Sequence, residues 1–160
     1  MIKKTVLVVL LILYFVGTIG FSQKRIPLSG LINPESLAVD RQNIYITDGA
    51  EVKIYSKKNH KLIRRFGRRG NGPGEFALFD DRGIRISLVE DRIFVNSVMK
   101  LSLWTKKGEF IREQKPRKFS AIYLPIGKNY VGSGRATDKK YRYKTVNLYN
   151  ELLEPFKEIM

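Results

Sequence analysis

From about residue 36 onward, apolar side chains recur in short runs rich in Ile, Val, Tyr and Phe, and each run is closed by Asp, Asn, Gly or Lys. Runs of that length carry the two-residue period of strands and lack the 3.6-residue spacing of an amphipathic helix. The pattern predicts strands over about Ser36 to Asp40, Asn43 to Thr47, Glu51 to Ser56 and Lys61 to Phe66, and again over Ile84 to Val89, Arg92 to Asn96, Lys100 to Thr105 and Phe110 to Gln114. Only the first segment departs from it. Met1-Ile2-Lys3-Lys4 is basic, Thr5 to Ile19 is an almost unbroken apolar run, and Gly20-Phe21-Ser22 puts small residues three and one places before Gln23. This is the three-part layout of a secretory signal, with cleavage expected after Ser22. A membrane anchor over residues 5–21 is the alternative, since the run is only slightly short of the roughly 20 residues that span a bilayer. Either reading expects a helix over residues 4–20 and a remainder, residues 23–160, outside the cytoplasm, periplasmic or secreted.

The strand runs repeat. Asn43-Ile44-Tyr45-Ile46-Thr47-Asp48 aligns with Arg92-Ile93-Phe94-Val95-Asn96-Ser97 at an offset of 49 residues, and Val52-Lys53-Ile54-Tyr55 falls on Leu101-Ser102-Leu103-Trp104 at the same offset. A weaker third copy runs through Asn129 to Gly132, Thr145 to Tyr149 and Asn150 to Leu153, with a longer hairpin over Arg135 to Lys144. Repeats of about 45 residues built from four antiparallel strands have the form of β-propeller blades, each of which buries its faces only against its neighbours. The expected fold is therefore all-β, an incomplete β-propeller with blades at about 31–76, 77–118 and 119–160. Tyr55, Trp104 and Tyr149 hold equivalent places in the copies and are expected in the packing between blades.

One segment carries a family resemblance. Phe66-Gly67-Arg68-Arg69-Gly70-Asn71-Gly72-Pro73-Gly74-Glu75-Phe76 resembles the FG-x-x-G-x-GPG-x-F stretch that joins successive blades in NHL-type six-bladed β-propellers, and Leu37-Ala38-Val39-Asp40 with Ile44 to Asp48 is similar to that family's inner and second strands. The resemblance implies a loop that leads from the outer strand of one blade to the inner strand of the next, and binding of a protein or ligand. The residues suit such a crossing. Glycine permits positive φ, Pro73 fixes one bend, and Phe66 and Phe76 can pin the two ends in apolar packing.

Composition narrows the chemistry. The chain has 160 residues, no cysteine and a formal charge of +15, and loss of residues 1–22 would remove two lysines and no acid, leaving +13. Without cysteine there is no disulfide framework, thiolate metal site or cysteine nucleophile. The glycine-rich loop does not open a helix and lacks the G-x-x-x-x-G-K-[ST] spacing, so it is not a phosphate cradle. Arg68 and Arg69 at its tip are the candidate contacts for an outside anion or partner. His60, the single histidine, sits among lysines that repel a cation, and neither it nor the neighbouring pairs Asp80-Asp81 and Glu90-Asp91 makes a metal or acid–base set. Asp40 and Asp48 are expected to accept hydrogen bonds from turn amides.

The expected function is that of an exported, non-enzymatic propeller that binds a protein or small ligand through its loops, without a cofactor or metal. A basic face could instead meet nucleic acid, as some NHL propellers do, although an export signal argues against it; a hydrolase or lyase site in a longer chain is the third class. Three blades do not close a ring, so the chain is expected either to be a piece of a longer propeller or to be completed by a second copy, a homodimer of six blades.

Overall fold

The structure is a computed structural model, and it describes residues 25–78, 83–116, 123–137 and 140–159. The predicted helix and signal or anchor at the N-terminus lie outside the described residues. Within them no helix occurs, and none is long and apolar enough to cross a membrane.

Twelve strands form three four-stranded antiparallel meanders. Sheet 1 contains β1 (Pro34–Val39), β2 (Asn43–Asp48), β3 (Glu51–Ser56) and β4 (Leu62–Phe66). Sheet 2 contains β5 (Arg85–Val89), β6 (Arg92–Ser97), β7 (Lys100–Thr105) and β8 (Phe110–Gln114). Sheet 3 contains β9 (Tyr123–Ile126), β10 (Asn129–Thr137), β11 (Arg142–Tyr149) and β12 (Pro155–Ile159). Several bounds differ from the expected ones by one or two residues: β2 and β6 run one residue further, to Asp48 and Ser97, and β5 starts at Arg85 rather than Ile84. β1 begins at Pro34 and stops before Asp40, because the Asp40 carboxylate takes the amides of Gln42 and Asn43 and turns the chain there. β4 starts at Leu62 rather than Lys61, and a register shift opposite Ile54 and Tyr55 leaves Ile63 as an extra residue within it.

The register makes the repeat concrete. Ile44 faces Tyr55, Ile93 faces Trp104, and Tyr130 faces Tyr149. Because side chains alternate along a strand, each sheet has two faces. We call the face bearing Tyr55, Trp104 or Tyr149 the near face and the opposite one the far face. The far face of sheet 1 (Tyr45, Val52, Ile54, Phe66) packs on the near face of sheet 2 (Ile93, Val95, Trp104), with Phe76 and Ile84 between them. The far face of sheet 2 (Phe94, Leu101, Leu103) packs in turn on the near face of sheet 3 (Tyr123, Tyr130, Tyr149), closed by Leu153. The same order therefore holds at both junctions, far face to near face along the chain. On the far side of sheet 3, β10 and β11 stay paired out to Thr137 and Arg142, which is the long third hairpin.

Candidate functional site

The segment that joins sheets 1 and 2 begins at the buried end of β4. Phe66 lies 4.4 Å from Trp104 and Phe76 lies 5.8 Å from it, ring centroid to centroid, so both ends of the loop close on one indole. Gly67 must be glycine: its φ is +86°, and a Cβ there would collide with the Phe76 ring. Gly74 also has positive φ, +71°, and its open side faces Trp104 at 3.4 Å. Between these fixed points the tip is held by Glu75, which accepts from the Gly72 amide at 2.9 Å and pairs with Arg68 at 2.7 Å. The Gly72 amide first, and then Arg68, hold the Glu75 carboxyl below its ordinary range.

Arg68 and Arg69 are both exposed. Arg68 spends one edge of its guanidinium on Glu75, while Arg69 joins the loop through a backbone bridge to Phe76. The structure thus puts the two arginines side by side on a tethered loop, with Gly70, Gly72 and Pro73 carrying the backbone between its aromatic ends.

Asp40 and Asp48 take different parts. Asp40 accepts from the amides of Gln42 and Asn43, both at 2.8 Å, and from the Tyr45 hydroxyl at 3.0 Å. It also pairs at 3.1 Å with Lys106 of the β7–β8 turn, so a turn of sheet 1 is tied to a turn of sheet 2. Burial alone would push its pKa up, but the amides and Lys106 outweigh that and bring it down to about 2. The same burial lifts the Tyr45 phenol to about 12. Asp48 reaches instead to the amides of Ile32 and Asn33, some fifteen residues earlier, and to the Lys53 ammonium. Its carboxyl is lowered too, Lys53 and those amides overcoming burial.

Lys53 and Lys100 were not legible as special. Both are buried strand lysines. Lys53 donates to the Gly30 carbonyl at 2.6 Å as well as pairing with Asp48. Lys100 donates to the Gly72 carbonyl at 2.9 Å and lies 3.1 Å from Glu113, a charge contact without directed hydrogen-bond geometry. In each case a buried ammonium holds the segment that leads into a sheet. A lysine in Val52-Lys53-Ile54 reads as a solvent-side residue in the sequence, because the carbonyl that covers it belongs to another segment.

One group of exposed cations lies at one end of sheets 1 and 2. The β1–β2, β3–β4 and β7–β8 turns share that end, as the Lys57 amide bond to the Gln42 carbonyl (2.8 Å) and the Asp40–Lys106 pair show. Arg41, Lys57, Lys58, Lys61 and Lys107 are exposed there. His60 occupies the β3–β4 turn with φ +61° and donates its amide to the Ser56 carbonyl. Among the described residues no group of three or more His, Asp or Glu side chains is placed to hold a metal ion.

No protein-family model matches the chain, and no curated protein matches it.

Proposed function

We propose that the three sheets are blades of an NHL-type β-propeller that works outside the cytoplasm as a non-enzymatic binding scaffold, meeting a protein or small ligand through its loops. The observation that carries the reading is the recurrence of one four-stranded sheet in one register, stacked far face to near face, with the Phe66–Phe76 loop making the crossing between two of them. That order is how blades bury themselves against one another. Three carboxylates have structural parts in the turns and lead-in segments. Asp40, Asp48 and Glu75 are all shifted downward by amides and cations, which holds them as anions. The contact residues would be Arg68 and Arg69, together with the cationic turns at the opposite end. Such a surface suits an acidic partner and speeds encounter with it.

Two measurements test this. A reporter that works only outside the cytoplasm, fused to the full chain, should be active; activity confined to a cytoplasmic reporter would remove the export half. Photoreactive residues placed singly at Arg69 and Lys57 of the exported chain should give discrete adducts that fade as salt is raised. Adducts absent from both positions would overturn the binding half, and adducts to RNA would replace it with the nucleic-acid reading.

A further inference from the structure

The central strands of sheet 3 run further than those of sheets 1 and 2. The pairs Ile44 with Tyr55, Ile93 with Trp104 and Tyr130 with Tyr149 are equivalent, and four residues on the matching pairs are Asp48 with Glu51, Ser97 with Lys100, and Gly134 with Thr145. Sheets 1 and 2 stop there, at the turns through Gly49-Ala50 and Val98-Met99. β10 and β11 continue through three more pairs, Arg135 with Lys144, Ala136 with Tyr143 and Thr137 with Arg142. At about 3.3 Å per residue, that carries the ribbon roughly 10 Å past the turns of its neighbours. A sheet of the size of sheets 1 and 2 laid on sheet 3 stops short of it, so the exposure of this stretch follows from its own length.

The extra length carries rings and cations. Between Asn129 and Asn150 the sequence has five cations, Arg135, Lys139, Lys140, Arg142 and Lys144, against one acid, Asp138. Tyr141, Arg142, Tyr143 and Lys144 are all exposed, the two phenols by 54% and 40%. Alternation along β11 puts Tyr143 on one face of the ribbon and Arg142 and Lys144 on the other. The Tyr141 and Tyr143 rings lie 6.3 Å apart, centroid to centroid, and the Lys140 ammonium stands 5.2 Å from the centre of the Tyr141 ring. The phenols that pack sheet 3 on sheet 2 are Tyr123, Tyr130 and Tyr149, and Tyr141 and Tyr143 take no part in that cluster.

We propose that this ribbon is a membrane-surface arm, which sets Tyr141 and Tyr143 with their flanking cations into the headgroup layer of an anionic bilayer. A phenol has an apolar body and a polar tip and settles between headgroups and hydrocarbon, while the long stems of lysine and arginine let their charges reach the phosphates. The opposed faces separate this partner from other acidic ones. Stacking sites for nucleic acid set rings and cations along one groove, whereas here a strand lying on the rings turns away from Arg142 and Lys144. A bilayer meets both faces of whatever enters its headgroups. The Arg68–Arg69 loop stands at the same end of the sheets, as the bonds from the Val98 amide to the Ala77 carbonyl and from Lys100 to the Gly72 carbonyl show, and it adds exposed cations to that side. The inference uses the register of the sheets and goes beyond the loop-binding reading above.

The absence of cysteine makes the arm addressable. A polarity-sensitive dye on Thr137→Cys of the full chain sits across from Arg142, and the same dye on Lys57→Cys, at the other end of the sheets, is the control. Vesicles of phosphatidylcholine with about one third phosphatidylglycerol should shift the Thr137 dye to the blue and expose it to a headgroup-borne quencher, with no shift at Lys57, and the response should fade as salt is raised. Arg142→Ser with Lys144→Ser should raise the lipid needed for half the response about 30-fold, about fivefold for each charge at an anionic surface. Tyr141→Ser with Tyr143→Ser should abolish the blue shift, and every variant should keep the cooperative β melt of the wild type. Should a double variant lose that melt, Arg142→Ser alone is read, with about fivefold expected. A Thr137 dye that stays silent, that responds no more than the Lys57 dye, or that answers equally in the variants overturns the proposal. A response to single-stranded RNA or an acidic polysaccharide without one to vesicles overturns it in favour of that polymer. The adducts at Arg69 and Lys57 are read separately, so a silent arm leaves the loop-binding reading standing.

Discussion

The two internal junctions bury similar faces by different chemistry. Between sheets 1 and 2 the contact is aliphatic and aromatic: Ile54, Ile93 and Val95 surround a cluster in which Trp104 touches Phe66, Phe76 and Phe110. The crossing loop itself supplies part of that core. Between sheets 2 and 3 the rings are mostly phenols. Tyr123 meets Tyr149 edge-on at 5.1 Å and Phe94 meets Tyr130 at 6.0 Å, and the Asn96 side chain clips the Tyr123 backbone with one bond at 2.7 Å and another at 3.1 Å. Thr47, which holds the position of Asn96 in the first repeat, spends its hydroxyl inside its own sheet, accepting from the Ser36 amide at 2.8 Å. One residue position thus serves a strand in sheet 1 and an inter-sheet clamp in sheet 2. Both groups donate and accept, Thr47 also giving its hydroxyl to the Ser36 carbonyl at 3.4 Å, but the hydroxyl sits on a short arm and stays within its sheet, whereas the longer amide reaches the next one.

The largest expected effect lies at the first junction. Trp104→Ala should lower the unfolding free energy by about 3 to 5 kcal/mol in denaturant titration, because it empties the site on which three other rings close. A loss under about 1 kcal/mol would mean that the loop and sheet 2 do not share a core. At the second junction, Asn96→Leu keeps the volume but removes both side-chain bonds to the Tyr123 backbone, at a cost of about 2 to 3 kcal/mol. Thr47→Val should cost only about 1 kcal/mol, and equal effects would erase the distinction drawn between the two positions.

The loops sharpen the same contrast. Gly74→Val places a β-branched residue at φ +71° beside Trp104 and should destabilise by about 1 to 3 kcal/mol. Gly30→Val, with nothing within 4 Å of its Cβ, should cost only the backbone strain of about 1 kcal/mol. Acid unfolding reports on the turn-to-turn tie. The Asp40 carboxyl lies at about 2 when folded against 3.8 ordinarily, so its contribution is complete above pH 3.8 and is lost as pH falls toward 2. That loss is worth about 1 to 2 kcal/mol, and Lys106→Met should shrink it; an unchanged acid limb would detach Lys106 from Asp40. Smallest of all, replacing Arg68 and Arg69 together with Ser should shift stability by no more than about 0.5 kcal/mol, since both side chains face solvent.

The local sequence carried the strands because a half-buried strand advertises itself residue by residue. Ile44-Tyr45-Ile46 and Ile93-Phe94-Val95 have the composition of a packed pleat, and Asp, Asn and Gly mark where each one turns. The offset of 49 residues made the repeat legible before any contact was known, and the glycines of the Phe66–Phe76 loop signalled a crossing. Asp40 belonged to that local code as well, since its amide partners are two and three residues away.

Other features depend on segments far apart in the chain, and only the tertiary structure decided them. Asp48 looked like a second turn acceptor but bonds the lead-in segment at Ile32 and Asn33 and a buried lysine. Lys53 and Lys100 are charged residues on strands until another segment's carbonyl covers each ammonium and makes its burial tolerable. Gln114 reaches the Glu151 carbonyl in the next sheet at 2.7 Å, a bond that no spacing announces. Ile32 and Phe76 occupy matching places in matching segments, and only Phe76 stood out in the sequence, as an aromatic end of the glycine-rich loop. Which of them is buried depends on whether a sheet lies against it, a property of the neighbour and not of the residue.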